Sequence, residues 1–358
     1  MIQPTIVFVQ LGRNPSPTLN HFARAATINS PGSDVLLITD HPDDHYRFPG
    51  TVLNYVRDLE FETLTILYKK FKERIELSGG YWIYTLERLF ALMQLSKLKV
   101  NSAIIHLESD VLISMTTEHF EKLSQMCRRT SVPRHSGDLG IASFLYAPSL
   151  QQLTTDLELL GKILDKHLSD STDFLTDMQL LGLGLNESIL QELPTLPNDA
   201  WILESGKENR KLVFDGAAYG QYLFGQDPLH NHSMRVSGFQ NLNFPLNLKN
   251  CCWSLHPSIT PNHTVAYDWD LSRIEIANIH VHSKEILEIP NTASLRWQRA
   301  IGEANGLIDR EVSGPFPDVI HNRRLRFISQ LRLSRQSGKI AKLFKFAQRL
   351  SSENRHRN

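Results

Sequence analysis

Apolar runs bounded by turn-forming residues recur through the first two thirds of the chain, and their order predicts alternating strands and helices. Residues 5–10, TIVFVQ, are β-branched and aromatic; a Gly/Pro/Asn loop follows at 11–17, then a helical pattern over 18–29. VLLITD at 35–40 predicts a second strand that ends on Asp40 and runs into the polar loop HPDDH. Helical spacing covers about 60–76. After the Gly79-Gly80 break, a second helix is expected over YTLERLFALMQLSKL at 84–98, and it leads into the strand SAIIHL. ASFLYA at 142–147 predicts a strand and 149–167 a helix. From about 198 to 270 the chain turns rich in Asn, Pro, His and Gly, so loops covering a site are expected there. Strand-like alternation returns in IEIANIHVHS at 274–283, and 291–320 is a mixed connecting segment. Strand and helix alternating in this way predict a Rossmann-like α/β fold, a mixed sheet flanked by helices. Ligand sites in such folds lie outside the carboxyl ends of the strands.

Composition agrees with a soluble globular chain: of 358 residues, 41% are hydrophobic and 21% charged. The formal charge is zero but unevenly spread. Residues 321–358 hold eight Arg, three Lys and one acid, Glu353, a surplus of +10. Within it, Ile340, Leu343, Phe344, Ala347 and Leu350 recur at helical spacing, with Lys342, Lys345 and Arg349 opposite. That pattern is a cationic amphipathic helix suited to an anionic membrane surface, to docking on the folded domain, or to non-specific nucleic-acid contact. Cys127, Cys251 and Cys252 give neither an even disulfide framework nor metal-type spacing and are expected as free thiols. The opening residues carry no basic n-region and only a short apolar run, so the expectation is a cytoplasmic protein, peripheral on the inner face of the membrane if the tail binds lipid. On that expectation the glycosylation patterns at Asn186, Asn231 and Asn262 are chance matches.

The sharpest local signal is IIHLESDVLI at 104–113, where an apolar strand breaks into Glu108-Ser109-Asp110 and then resumes. Two carboxylates one residue apart can reach a single hard cation, and that cation can neutralise the phosphates of a nucleotide diphosphate. An ordinary acidic turn is the plainer reading of the tripeptide alone. NIHVHSK at 278–284 adds two imidazoles, His280 and His282, on one side of a strand-like run, followed at once by Lys284. Together they form a metal-plus-phosphate arrangement. No GxGxxG fingerprint, Walker loop or GxSxG elbow occurs, so dinucleotide binding, P-loop phosphoryl transfer and α/β-hydrolase chemistry lose support.

These motifs resemble those of GT-A glycosyltransferases, whose Asp-x-Asp pair follows an apolar strand; this chain has Glu in the first place. KLVFDGAAYGQYLFGQDP at 211–228 resembles a phrase carried by microbial polysaccharide-type members, which share the ESDV-like and HVHSK-like elements. The resemblance spans roughly residues 1–290. It implies Mn2+ or Mg2+ on Glu108, Asp110 and His282, with His280 as second choice for the imidazole. It implies Lys284 and Arg88 at the donor diphosphate, Arg88 from the helix before the metal motif. An acid at the start of the helix in STDFLTDMQLLGLG at 171–184 is expected by the same likeness, Asp177 first and Asp173 as its neighbour, to take the acceptor proton in inverting members. Asp215 is implied as a sugar or acceptor contact, with Gln221 and Asp227 as further polar groups; a tight helix-packing site is the plainer reading of that phrase. By position at the ends of the first two strands, Gln10, Leu11, Gly12 and Asp40 would hold base and ribose.

The resulting expectation is a GT-A-like catalytic domain over 1–290, a connector over 291–320 and a basic helical tail over 321–358. It would be a metal-dependent glycosyltransferase of polysaccharide biosynthesis, moving a sugar from a nucleotide-diphosphate sugar to a glycan or lipid-linked glycan hydroxyl. One rival is a nucleotidyltransferase that makes the nucleotide sugar, although QLGRNPSPT is a poor phosphate loop. The other is a non-catalytic membrane-surface adaptor on a degenerate transferase domain.

Overall fold

The computed structural model describes residues 3–12, 17–41, 48–55, 62–71, 81–98, 100, 102–113, 115–171, 173–203, 210–224, 235–236, 244–246, 248, 252–255, 264–267, 273–281 and 312–313. Two compact units divide the chain. The first comprises 1–227 and 236–311; the second comprises 228–235 and 312–358, of which only Arg235, Val312 and Ser313 are described.

In the first unit, β1 (Thr5–Gln10), β2 (Val35–Thr39), β3 (Thr51–Asn54) and β4 (Ile104–Leu107) run parallel in the order β3-β2-β1-β4. The sheet then continues antiparallel through β8 (Phe144–Ala147), β6 (Ser131–Ser136) and β7 (Leu139–Gly140), and β9 (Gln191–Leu193) pairs parallel with β6. It is a mixed sheet of eight strands. Every residue of β1, β2 and β4 is buried. Strands covered on both faces appear in sequence as unbroken apolar runs, which is why TIVFVQ and VLLITD show no polar alternation.

Successive side chains point to opposite faces, so one strand feeds two cores. Ile6, Phe8, Ile105 and Leu107 join one cluster, which also holds Leu19 and Phe22 of α1 (Pro17–Asn29) and Phe120 and Leu123 of α4 (Thr117–Met126). Val7, Val9, Ile104 and Leu145 join the other. On that second face lie α2 (Glu62–Lys70), α3 (Tyr81–Ala91), α5 (Leu150–Asp170) and α6 (Asp177–Asn186). The buried stripe of α5, Leu153, Leu157, Leu160, Leu164 and Leu168, has the spacing of one helical face. Each such leucine stabilises the fold by roughly 1.5–3 kcal/mol through burial.

Described residues of the region expected to be loops contribute strands to a second sheet. It has five strands in the order β10 (Trp201–Leu203), β11 (Arg210–Val213), β14 (Arg273–Ile276), β13 (Thr264–Tyr267), β12 (Cys252–Leu255), and α7 (Ala218–Phe224) follows β11. These strands have three or four residues, too short to show alternation; cross-strand partners define them. The strand-like run over 274–283 is, over its described residues, two strands. Ala277 N–H donates to Val213 O at 2.9 Å, closing β14, and β15 (Asn278–His280) pairs antiparallel with β5 (Val111–Ile113). The expected helix at 84–98 likewise divides, α3 passing into a 3-10 segment at Leu92–Lys97.

Candidate metal centre

The apolar strand β4 stops at Leu107, and Glu108-Ser109-Asp110 form a turn before β5 begins. Val111 N–H donates to Glu108 O at 3.2 Å, closing that turn, and Glu108 N–H reaches Ser143 O at 3.4 Å. The antiparallel register of β15 on β5 sets His280 against Val111, and Val281 N–H donates to Asp110 O at 2.9 Å. Strand pairing thus carries an imidazole from far along the chain to the acidic turn. His280 Nε2 lies 3.3 Å from Glu108 Oε2 and 3.2 Å from Asp110 Oδ1, and the three ligand atoms all fall within 4.8 Å of one another. Two carboxylate oxygens and one imidazole nitrogen suit a hard or borderline dication such as Mg2+ or Mn2+, and the separations fit donors around one ion. Glu108, Asp110 and His280 therefore fit a divalent cation by chemistry and by spacing.

Burial pushes the His280 imidazole down, but Asp110, Glu108 and Asp215 outweigh it and carry its pKa up to about 9. At an effective dielectric of about 20, two unit charges 4 Å apart interact by about 4 kcal/mol. Glu108 and Asp110 side by side thus need positive charge close at hand. Arg88 supplies some of it: its guanidinium bonds Glu108 Oε1 and lies 3.4 Å from Asp177 Oδ2, with its side chain only 13% exposed. Two further acids, Glu87 beside it in the chain and Glu118, are engaged by other groups. Glu87, fully buried, accepts from Tyr55 and Tyr68 hydroxyls at 2.9 and 2.6 Å, and Glu118 pairs with Arg210 at 2.7 Å.

Asp177 is the first residue of α6 and is not its cap. Thr176 fills that place, its hydroxyl accepting from Gln179 N–H while Gln179 Oε1 accepts from Thr176 N–H. The capping box frees the Asp177 carboxyl to face Arg88. Burial raises its pKa, with Arg88 opposing and Glu108 reinforcing. Asp173, the neighbouring candidate, is exposed; its N–H donates to Ser171 Oγ at the end of α5.

Asp215 is 0% exposed. Its carboxylate accepts from Tyr219 N–H at 3.0 Å, Gly220 N–H at 2.9 Å and His280 N–H at 2.9 Å. Burial raises its pKa while those donors pull the other way. The same residue that caps α7 therefore fixes the backbone of His280. A methyl group at Gly220 would overlap the His280 carbonyl oxygen, and one at Gly216 the Arg134 carbonyl oxygen, so the small residues of DGAAYG serve close backbone packing.

Beyond the carboxyl ends of β1 and β2, Gly12 has φ +76° and donates its N–H to both Asp40 oxygens at 3.1 and 3.0 Å; Gln10 is buried. The Tyr84 ring of α3 lies against Gly12 and leaves no room for a β-carbon. Sequence reading did not single out Tyr84, which the helical position of an aromatic cannot reveal. It also passed over His106, wholly buried beside Arg88. That imidazole donates through Nδ1 to Val7 O at 3.0 Å, and burial, then Arg88, lowers its pKa to about 3. His282, Lys284 and Asp227 lie outside the described residues, as does 321–358.

No protein-family model matches the chain, and no curated protein does. Among solved structures it is similar to the glycosyltransferase GlyE of Streptococcus pneumoniae TIGR4, at 9% identity over 54% of this chain and 45% of that one, with a TM-score of 0.35. It is similar to mouse xyloside xylosyltransferase 1, at 10% identity over 53% and 85% with a TM-score of 0.33. A third is the galactosyltransferase LgtC in complex with donor and acceptor sugar analogs, at 12% identity over 54% and 76% with a TM-score of 0.34. The chain thus spans less than half the length of GlyE. Likeness of this degree leaves function to the chain's own residues.

Proposed function

We propose that this protein is a GT-A-type glycosyltransferase that moves a sugar from a nucleotide-diphosphate sugar to a glycan or lipid-linked glycan hydroxyl. The observation that carries the reading is the convergence of Glu108, Asp110 and His280, with Arg88 and Asp177 beside them, at the carboxyl end of a buried strand. Glu108, Asp110 and His280 would hold Mn2+ or Mg2+; His282, ranked first by sequence, follows two residues on. When bound, the ion supplies charge neutralisation for the leaving diphosphate.

The bond from the anomeric carbon to the diphosphate oxygen breaks, and its electron pair leaves with the diphosphate. A bond from the same carbon to the acceptor oxygen forms. Arg88 and Lys284 would bind diphosphate oxygens, Arg88 through its fork of donors. For an inverting reaction Asp177 takes the acceptor proton, and its burial-raised pKa brings it nearer neutral pH, where a general base works best. Gln10, Gly12 and Asp40 would meet base and ribose. Asp215 would act behind the sugar site through the His280 backbone. The basic segment 321–358 would hold the enzyme peripherally on an anionic cytoplasmic membrane face, near a lipid-linked acceptor.

A thermal-shift series of nucleoside diphosphates with and without Mn2+ or Mg2+ tests the reading. One diphosphate should raise Tm only with metal, and Asp110→Ala should abolish the shift. Ligand at a hundred times its Kd stabilises by about 2.7 kcal/mol, well within reach of the method. No metal-dependent shift with any nucleotide would refute the donor site.

A further inference from the structure

We infer that Arg88 makes cation loading at Glu108 and Asp110 conditional on a diphosphate, by holding a fixed positive charge on the metal-facing glutamate. This rests on the metal-site reading above. Arg88 bonds Glu108 Oε1 while Glu108 Oε2 faces His280 and Asp110, so one carboxylate is shared between the guanidinium and the candidate ion position. The second carboxylate on Arg88, Asp177, lies on α6 and outside the ligand set.

Two effects of Arg88 on a dication oppose each other. Holding Oε1 fixes the glutamate rotamer with Oε2 toward the ion, which favours binding. Placing a full positive charge on the same carboxylate repels the ion and disfavours it. The ordering of one side chain is a modest gain, whereas charge on a shared, nearly buried carboxylate acts at short range in poorly screened surroundings, so repulsion dominates. A diphosphate reverses the balance because its oxygens offer Arg88 partners and bring negative charge to the cation. Free cation then binds weakly, and cation and diphosphate strengthen each other's binding by the same factor. Arg88 thus acts on the cation through its charge more than through its shape.

The test is Mn2+ binding to the full chain with and without inorganic pyrophosphate, read as Mn2+ retained with the protein in equilibrium dialysis, where Mn2+ held by pyrophosphate alone is the same on both sides of the membrane. Arg88→Met, near in length and uncharged, should bind free Mn2+ at least tenfold more tightly than the parent, about 1.4 kcal/mol. Adding Asp110→Ala to that variant should abolish the gain. Arg88→Lys keeps the charge and loses the planar fork of donors, so for an effect that rests on charge it should remain within about threefold of the parent. Pyrophosphate should tighten Mn2+ binding in the parent and much less in Arg88→Met. Equal or weaker Mn2+ binding by Arg88→Met, with circular dichroism unchanged, would overturn the inference and leave the metal site standing. Absence of Mn2+ binding in every variant, with or without pyrophosphate, would overturn both.

Discussion

Asp215 accepts hydrogen bonds from three backbone N–H groups, two at the start of α7 and one from His280, 65 residues further on. Removing a buried acceptor leaves its donors unsatisfied at about 1–3 kcal/mol each. Asp215→Ala should therefore destabilise the protein by several kcal/mol, seen as a lower urea midpoint, whereas an exposed sugar contact would cost almost nothing. The sequence singled out Asp215 and His280 but not the bond between them. A carboxylate before a small-residue run signals a special position, and nothing in FDGAAYG says that its third donor sits on another strand. Glu108 and Asp110 were legible because two acids interrupt an apolar strand. His280 was legible only as half of a pair; the register of β15 on β5, which sets it against Val111, is not written in the sequence.

Among elements, the second sheet shows how polar pairing welds together segments whose patterns are weak. Glu275 on β14 accepts from His119 Nε2 at 2.8 Å and from Arg210 at 2.8 and 2.9 Å, while Arg210 also reaches Glu118 on α4. Thr116 N–H donates to His119 Nδ1, so the neutral ring carries its proton on Nε2 and donates it to Glu275. Burial raises the Glu275 carboxyl, but His119 and Arg210 outweigh it and hold its pKa at about 2, below the ordinary 4.5. A depressed acid contributes stability above its unfolded value and loses it as pH falls toward the folded value. The network should thus weaken between about pH 4.5 and 2, by about 3 kcal/mol in all. Urea midpoints across that range should fall more steeply in the parent than in Glu275→Gln; parallel curves would refute the assignment. Long, fully buried strands such as β1 and β2 were legible from composition alone. The short strands around Arg210 and Glu275 were not, because a four-residue segment owes its conformation to partners distant in sequence.

At the scale of the whole molecule, charge is divided: residues 321–358 carry +10 and the remainder must balance it with −10. No helix among the described residues is long and apolar enough to cross a membrane. Each basic residue near an anionic surface contributes about 1 kcal/mol, and the attraction fades beyond a Debye length of about 8 Å at physiological salt. The full chain should therefore float with vesicles containing phosphatidylserine at low salt. It should be released by several-fold higher salt and ignore neutral phosphatidylcholine vesicles. Reversing Lys342, Lys345 and Arg349 to Glu removes six charge units from the basic side of the amphipathic sequence pattern and should abolish flotation while leaving Mn2+ binding intact. Flotation that survives the reversal would mean that the apolar positions Ile340, Leu343, Phe344, Ala347 and Leu350, with the remaining basic residues, hold the surface without those three charges. Loss of Mn2+ binding together with flotation would mean instead that this segment docks on the catalytic unit, and the amphipathic pattern would then be the mark of an internal interface.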